Sequence, residues 1–136
     1  MLSLTAAVLA LSGCANAIST QHVNKELAGP EWIVQSFRDI DGTTTAPGTI
    51  ALIVRFILPD TLSAKADNEI WRSYATRDGA LSISKLGRTK RGLSPGSRED
   101  HFIQALENAT AYSIDGNKLY IYYFDKTRAI NLVTNQ

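Results

Sequence analysis

The sequence predicts an α+β fold in which an antiparallel sheet curls over one main helix. Residues 31–86 hold several segments with the alternating polarity and turn signals of β-strands, and three more such segments follow residue 110. Between the two groups lies one segment whose apolar residues recur at helical spacing. Strands, one helix and further strands form an order that is typical of α+β folds. The 136 residues, 44% hydrophobic and 20% charged, have the size and composition of a globular protein.

The first two strands are predicted from their aromatic and β-branched residues. Residues 31–38 read EWIVQSFR and are followed by the turn signal Asp41-Gly42. Residues 50–58 are the most apolar stretch of the domain and carry apolar side chains on both faces. A strand of this composition is predicted to be central in the sheet and covered on both sides.

Alternating side chains predict further strands before the helix. Small and apolar residues alternate over residues 62–66 and indicate a third strand. Residues 70–76 and 80–86 flank the dipeptide Asp78-Gly79, which is typical of a compact hairpin turn. These segments extend the predicted antiparallel sheet.

The helix is predicted from its start signal and from its apolar stripe. Ser97 is followed three residues later by Asp100, an arrangement that resembles a capping box. Phe102, Leu106 and Ala109 then recur at helical spacing. Because these side chains share one face of a helix, we expect that face to pack on the sheet.

Three strand-like segments after the helix predict an antiparallel meander. They cover residues 111–114, 118–124 and 128–134, and turn-forming residues separate them. The meander completes the predicted sheet.

The amino terminus has the features of an export signal. Residues 2–11 form an uncharged apolar stretch that has the length of a signal-peptide core and is shorter than the ~20 residues that span a bilayer. The tetrapeptide 11–14, LSGC, follows and resembles the bacterial lipobox, whose cysteine receives a diacylglycerol before cleavage. Cys14 is therefore predicted to be a lipidation site that anchors the mature chain to a membrane.

This signal divides the chain into three predicted parts. Residues 1–13 are the signal peptide, residues 14–27 a lipidated tether, and residues 28–136 the folded domain. By resemblance to lipoproteins of two-membrane bacteria, Ala15 favours transfer to the outer membrane, with the domain facing the periplasm. The alternative is ordinary cleavage after Ala17, which would release a soluble protein.

Composition and motifs argue against several classes of protein. Fourteen basic and thirteen acidic residues give a net charge of +1, which does not favour nucleic-acid binding. Cys14 is the only cysteine, so the domain is predicted to contain neither a disulfide nor a thiolate metal site. His22 and His101 lack the paired spacing of zinc ligands, and no phosphate-binding loop or nucleophile elbow occurs. We therefore predict a non-enzymatic protein without catalytic residues, metal or cofactor.

A cluster of basic residues surrounds a loop that contains glycine and serine. Its members are Lys85, Arg88, Lys90, Arg91 and Arg98. Two interpretations stay open. The cluster faces lipid phosphates or an acidic partner, or it is a solvated loop balanced by the acidic residues Glu99 and Asp100.

Aromatic residues also have two interpretations. Tyr120, Tyr122 and Phe124 share one face of a predicted strand, and Trp32 belongs to the first strand. They form part of the core and a half-exposed outer face, or they line the wall of an apolar groove that holds an acyl chain or a peptide.

The order and spacing of several residues resemble a known family. Trp32 lies in a first strand of matching pattern, Asn68 and Tyr74 match a central signature, and Thr89 follows at the expected distance. Residues 99–106 match a helix of pattern E-x-x-F-x-x-x-L. On these residues the chain resembles the META domain family, which includes HslJ-like bacterial heat-shock lipoproteins.

The chain departs from the family pattern at two positions. Asp67 and Leu93 stand where members often have cysteines. The resemblance implies a small, cracked or half-closed β-barrel with a helix and no established catalytic residues. It further implies a role in envelope stress or antibiotic tolerance, through binding another envelope component. The alternative is a carrier or pilot lipoprotein that binds an apolar ligand or peptide in a half-open barrel.

Overall fold

The computed structural model describes residues 26–135, which form ten strands and one complete helix. Cys14 and the predicted signal lie outside these residues. The strands before the helix are β1 (Glu31–Arg38), β2 (Thr44–Thr45), β3 (Ile53–Ile57), β4 (Thr61–Lys65), β5 (Glu69–Arg77), β6 (Ala80–Ile83) and β7 (Gly87–Arg88). The helix and the last strands are α1 (Glu99–Glu107), β8 (Ala109–Asp115), β9 (Lys118–Tyr123) and β10 (Arg128–Val133).

Eight strands form a closed antiparallel barrel. Their hydrogen-bonded order is β1-β3-β4-β5-β6-β8-β9-β10, and β10 pairs again with β1. Five residue pairs, among them Phe37 with Ile130, make this closing junction. The prediction of a partly open barrel is therefore wrong, because β10 forms a ladder with β9 on one side and with β1 on the other. The fold is also mostly β rather than α+β, since α1 is short and the strands dominate.

One junction of the barrel is much thinner than the others. Strands β6 and β8 share a single ladder pair, Ala80 with Ala111. One of the backbone bonds of this pair runs from the Tyr112 amide to the Gly79 carbonyl at 2.9 Å. The short strands β2 and β7 lie outside the ring and extend β1 and β5.

Side chains along residues 52–57, which comprise β3 and the residue before it, alternate between the core and the solvent. Leu52, Val54 and Phe56 are buried in the barrel, whereas Arg55 and Ile57 are exposed. The predicted burial of this strand on both sides is therefore wrong. A barrel made of one sheet has an inner face that is packed and an outer face that meets water, so only every second residue is covered.

Helix α1 closes one end of the barrel, which we call the helix end. Phe102 and Leu106 are fully buried in the common core. The predicted capping box does not form. Arg98 is the residue before the first turn, the hydroxyl of Ser97 accepts a bond from the Glu99 amide at 3.3 Å, and Asp100 pairs with Arg88 instead.

The opposite end, which we call the N-terminal end, is where the described chain begins. Leu27 is buried there, and its carbonyl accepts a hydrogen bond from the Trp32 indole at 3.0 Å. Tyr74 packs edge-on against Phe56 with 4.9 Å between ring centres. The antiparallel register also brings the β3–β4, β5–β6 and β8–β9 turns to this end. None of the helical segments in residues 26–135 is long and apolar enough to cross a bilayer.

Candidate functional site

A buried carboxylate forms the centre of a polar network at the helix end. The side chain of Glu99, at the start of α1, has no exposed surface. It accepts hydrogen bonds from the backbone amide and the side-chain amide of Asn68, at 2.6 and 2.7 Å. The guanidinium of Arg88 donates a third bond at 2.9 Å. A buried anion of this kind is tolerated because several donors replace its lost hydration.

Asn68 extends the network to the loop after β7. Its carbonyl oxygen accepts bonds from the Thr89 hydroxyl at 2.8 Å and from the Arg91 amide at 2.6 Å. Asn68 and Thr89, two positions of the family signature, thereby join the β4–β5 turn to the segment that leads into α1. The donors and acceptors of Asn68 and Glu99 are engaged with each other, which favours a structural role for this network over a reactive one.

Asp67 and Leu93 are the two positions at which the family that the chain resembles often has cysteines. A hydrogen-bonded link joins Asp67 to Ser94, the residue after Leu93. The carboxylate of Asp67 accepts bonds from the hydroxyl and the amide of Ser94, at 2.6 and 3.2 Å. These bonds, together with one from Ser97, lower the pKa of Asp67. Ser94 follows Leu93, so the same two segments are joined without sulfur.

The basic cluster divides into engaged and exposed members. Arg88 bonds to Glu99 and Asp100. Arg98 donates to the Thr45 hydroxyl at 2.5 Å, and its guanidinium lies 4.9 Å from the ring centre of Phe37. These two residues therefore hold the helix end together.

Three cations of the cluster face solvent. Lys85, Lys90 and Arg91 are exposed, and none forms an ion pair with another residue in the range 26–135. We call Lys85, Lys90 and Arg91 the helix-side cations. Arg72 lies beside them, because its guanidinium donates to the carbonyl of Lys85. No pattern in the sequence indicated Arg72, since only the pairing of β5 with the chain around β7 brings it close.

The aromatic candidates occupy different environments. Trp32 is buried in the core, whereas Tyr120 and Tyr122 are half-buried on the outside of β9. The Tyr122 hydroxyl lies 3.1 Å from that of Ser113. Phe124 is 38% exposed, with the Arg128 guanidinium 4.9 Å from its ring centre. The four residues therefore do not line one common groove.

The interior of the barrel is packed with side chains. Inward-facing side chains of all eight barrel strands pack together with those of α1 and Leu27 in one buried cluster. A cavity of about 360 Å³ lies on the outside, next to the thin β6–β8 junction, and Tyr122 and Lys126 contribute to its wall. No group of three or more metal-ligating side chains comes together within residues 26–135.

A second surface feature lies at the N-terminal end. No pattern in the sequence predicted it. An apolar concavity of about 690 Å³ is lined by Ala28, Gly29, Arg55, Phe56, Ile57 and Leu58. Ile57 and Leu58 are 42% and 54% exposed. We call this surface the apolar rim. Ala28 and Phe56 are 28 positions apart in sequence, so no local pattern revealed their contact.

Comparison with solved structures shows the same fold in two other proteins. The chain is similar to a protein from Burkholderia xenovorans, with a TM-score of 0.68, 20% identity and coverage of 82% of this chain and 86% of that one. It is also similar to a DUF4847 family protein from Bacteroides vulgatus, with a TM-score of 0.64, 19% identity and coverage of 83% and 97%. No protein-family profile matches the chain, and no curated protein is significantly similar to it. At this level of identity the likeness shows the β-barrel fold alone.

Proposed function

We propose that the protein is a lipid-anchored component of the bacterial envelope whose barrel is a non-enzymatic binding module. One observation carries the proposal. The chain enters the barrel at one end, and the helix-side cations lie toward the other end. A module tethered through its amino terminus would therefore present the helix-side cations to a partner away from the membrane.

The anchor rests on the lipobox-like residues 11–14. Growing cells with an alkyne analogue of palmitate should label the wild-type protein through Cys14. The Cys14→Ser variant should remain unlabelled and appear in the soluble fraction. Label that persists in this variant, or a wild-type protein that takes up none, would refute the anchor.

An acidic partner fits the exposed helix-side cations. Lys85 and Lys90 are exposed and form no ion pair with the residues that the structure describes, so their charge is available to an anionic surface. A Lys85→Glu/Lys90→Glu variant should lose its partner in a pulldown from solubilised membranes. The loss should resemble the effect of high salt on the wild type.

A matched variant controls for net charge. Arg77 and Lys118 are exposed cations near the N-terminal end. The Arg77→Glu/Lys118→Glu variant changes the net charge by the same amount and should retain the partner. If both variants lose it equally, or if neither does, the helix-side cations are not the binding surface.

The resemblance to META domains supports a role in envelope stress or tolerance. A deletion strain should survive heat or envelope-active antibiotics less well than its parent. The wild-type gene should restore survival, whereas the Cys14→Ser variant should not. Equal survival of the deletion and parent strains under each of these stresses would remove this part of the proposal.

The alternative is a carrier or pilot that holds an apolar ligand or a peptide. The thin β6–β8 junction and the cavity of about 360 Å³ beside it favour this alternative, while the packed interior disfavours an acyl chain inside the barrel. Native mass spectrometry of the Cys14→Ser protein purified from cells would detect a carried lipid or peptide. Carriage at the junction should weaken in a Tyr122→Ala variant, and a protein that carries no such molecule would exclude the alternative.

A further inference from the structure

We propose that the apolar rim at the N-terminal end contacts the surface of the bilayer and so fixes the orientation of the anchored barrel. This inference rests on the proposed lipid anchor. Its occupant is a lipid surface with zwitterionic headgroups.

The rim combines exposed apolar side chains with a shallow apolar floor. Ile57 and Leu58 project at the β3–β4 turn with 42% and 54% of their surface exposed. Ala28, Gly29 and the edge of Phe56 complete the concavity of about 690 Å³. Adjacent exposed aliphatic residues are unfavourable in water and mark a contact surface when they form a continuous patch.

The position of the chain's first described residues identifies what covers the rim. The Gly29 amide bonds to the Phe56 carbonyl at 3.0 Å, and Ala28 forms a parallel bridge with Phe56. The chain therefore enters the barrel on the rim itself. The predicted anchor, Cys14, precedes Glu26 by twelve positions. Twelve residues reach at most about 40 Å.

The point at which the tether attaches favours the rim over the helix end for contact with the membrane. Strands of the length of β1, inclined in a barrel, give a height of about 20 Å. The exposed aliphatic residues at the helix end, Ile40 and Leu93, therefore lie about one barrel height further from the point where the tether attaches. Among these exposed aliphatic side chains, those of the rim lie nearest to the point where the tether attaches.

The charges at the rim point to zwitterionic rather than anionic lipid. Arg55 borders the rim, but its guanidinium pairs with Glu31 at 3.3 Å. Asp60 follows in the same turn, and at the other two turns of this end Arg77 precedes Asp78 and Lys118 pairs with Asp115. Because this end therefore carries no excess of positive charge, contact should depend little on anionic lipid or on salt.

Methyl NMR on anchored protein tests this orientation directly. The mature chain, residues 14–136, would be coupled through Cys14 to a maleimide lipid in phosphatidylcholine nanodiscs that contain doxyl-labelled lipid. The methyl groups of Ile57 and Leu58 should relax severalfold faster than those of Ile40 and Leu93. These two pairs have matched residue types and comparable exposure, at opposite ends of the barrel.

Two variants complete the experiment. In an Ile57→Ser/Leu58→Ser variant, the methyl group of Ala28, which also lines the rim, should lose most of its relaxation enhancement. In an Ile40→Ser/Leu93→Ser variant the enhancement of this methyl group should not change. Equal enhancement at both ends of the wild type, or a larger one at Ile40 and Leu93, would overturn the proposal. Chemical coupling supplies the anchor whether or not cells lipidate Cys14, so the palmitate experiment can fail independently of this one.

Discussion

At the scale of single residues, Asn68 and Glu99 determine how the helix end is organised. The Glu99 carboxylate is fully buried and receives two of its bonds from Asn68. Asn68 also holds the loop after β7 through its carbonyl oxygen. An amide is suited to this position because it can donate and accept at the same time. Asn68 therefore joins the β4–β5 turn both to the start of α1 and to the loop after β7.

Replacing Asn68 should therefore be costly. In Asn68→Ala the backbone amide still reaches Glu99, but the buried carboxylate loses its bond from the side chain. The loop loses its acceptor as well. We expect a loss of roughly 2–4 kcal/mol in the free energy of unfolding. Urea denaturation, with a midpoint that falls at an unchanged slope, would measure it.

Asn117→Ala is the matched control for this variant. Asn117 is exposed in the β8–β9 turn, and its side chain makes only a 3.5 Å contact with the Thr134 carbonyl. We expect the control to change stability by no more than about 0.5 kcal/mol. If Asn68→Ala is as mild as the control, the network does not hold the helix end together.

At the scale of elements, the docking of α1 involves an aromatic cluster that contains a histidine. His101 packs edge-on against Phe37, with 4.6 Å between ring centres, and lies 6.4 Å from Tyr123. Burial, and then the positive charge of Arg98, lower the pKa of His101 below its ordinary value of 6.5, while Asp39 acts in the opposite direction. The docked helix therefore favours the neutral imidazole.

The lowered pKa makes helix docking sensitive to acid. Below pH 6.5 the unfolded chain takes up a proton at His101 more readily than the folded one, so stability should fall as the pH drops through 6.5 toward the lower folded value. A His101→Phe variant keeps an aromatic ring there and should lose this part of the pH dependence. Its stability relative to wild type should therefore rise between pH 7.5 and pH 5.

Thermal unfolding of both proteins across this pH range would measure the difference, and the NMR titration of the His101 ring would report its pKa. A constant stability difference at all pH values would contradict the prediction. So would a His101 pKa at or above 6.5.

At the scale of the whole molecule, the barrel is closed by junctions of very different strength. Strands β1 and β10 meet through five residue pairs, and β9 and β10 through six. Strands β6 and β8 share a single residue pair. The chain between β6 and β8 contains β7 and α1.

This inequality predicts where the barrel opens first. Local opening requires only the breakage of the bonds at one junction, so the thin junction should have the lowest free energy of opening. The amide of Tyr112, which spans the junction, should exchange with deuterium at least tenfold faster than those of Ile130 and Leu132. Hydrogen exchange followed by NMR would test this, and equal protection would show that the barrel opens as one unit.

Much of the local structure could be predicted from the sequence. The Asp78-Gly79 hairpin is present, with both residues at positive φ. The helix and the three-strand meander after it are confirmed within a few residues of the predicted bounds. These features depend on alternation, turn-forming residues and helical spacing, which act over a few neighbouring residues.

Of the candidate sites, the sequence indicated the basic cluster but not its division. Arg88 and Lys90 are two positions apart, yet only Arg88 reaches the acidic start of α1. Which cation is neutralised depends on pairing between β5 and β7, a contact that no local pattern encodes. The apolar rim was missed for the same reason.

By itself, the sequence determined the strand and helix pattern, and it predicts an export signal with a lipidation site. Only the tertiary structure decided that the barrel is closed, that Trp32 belongs to the core, and that the helix-side cations lie away from the apolar rim. The physical reason is the range of the interactions. Periodicity and turn chemistry are local, whereas the closing ladder between β1 and β10 joins residues that lie close to 100 positions apart in the chain.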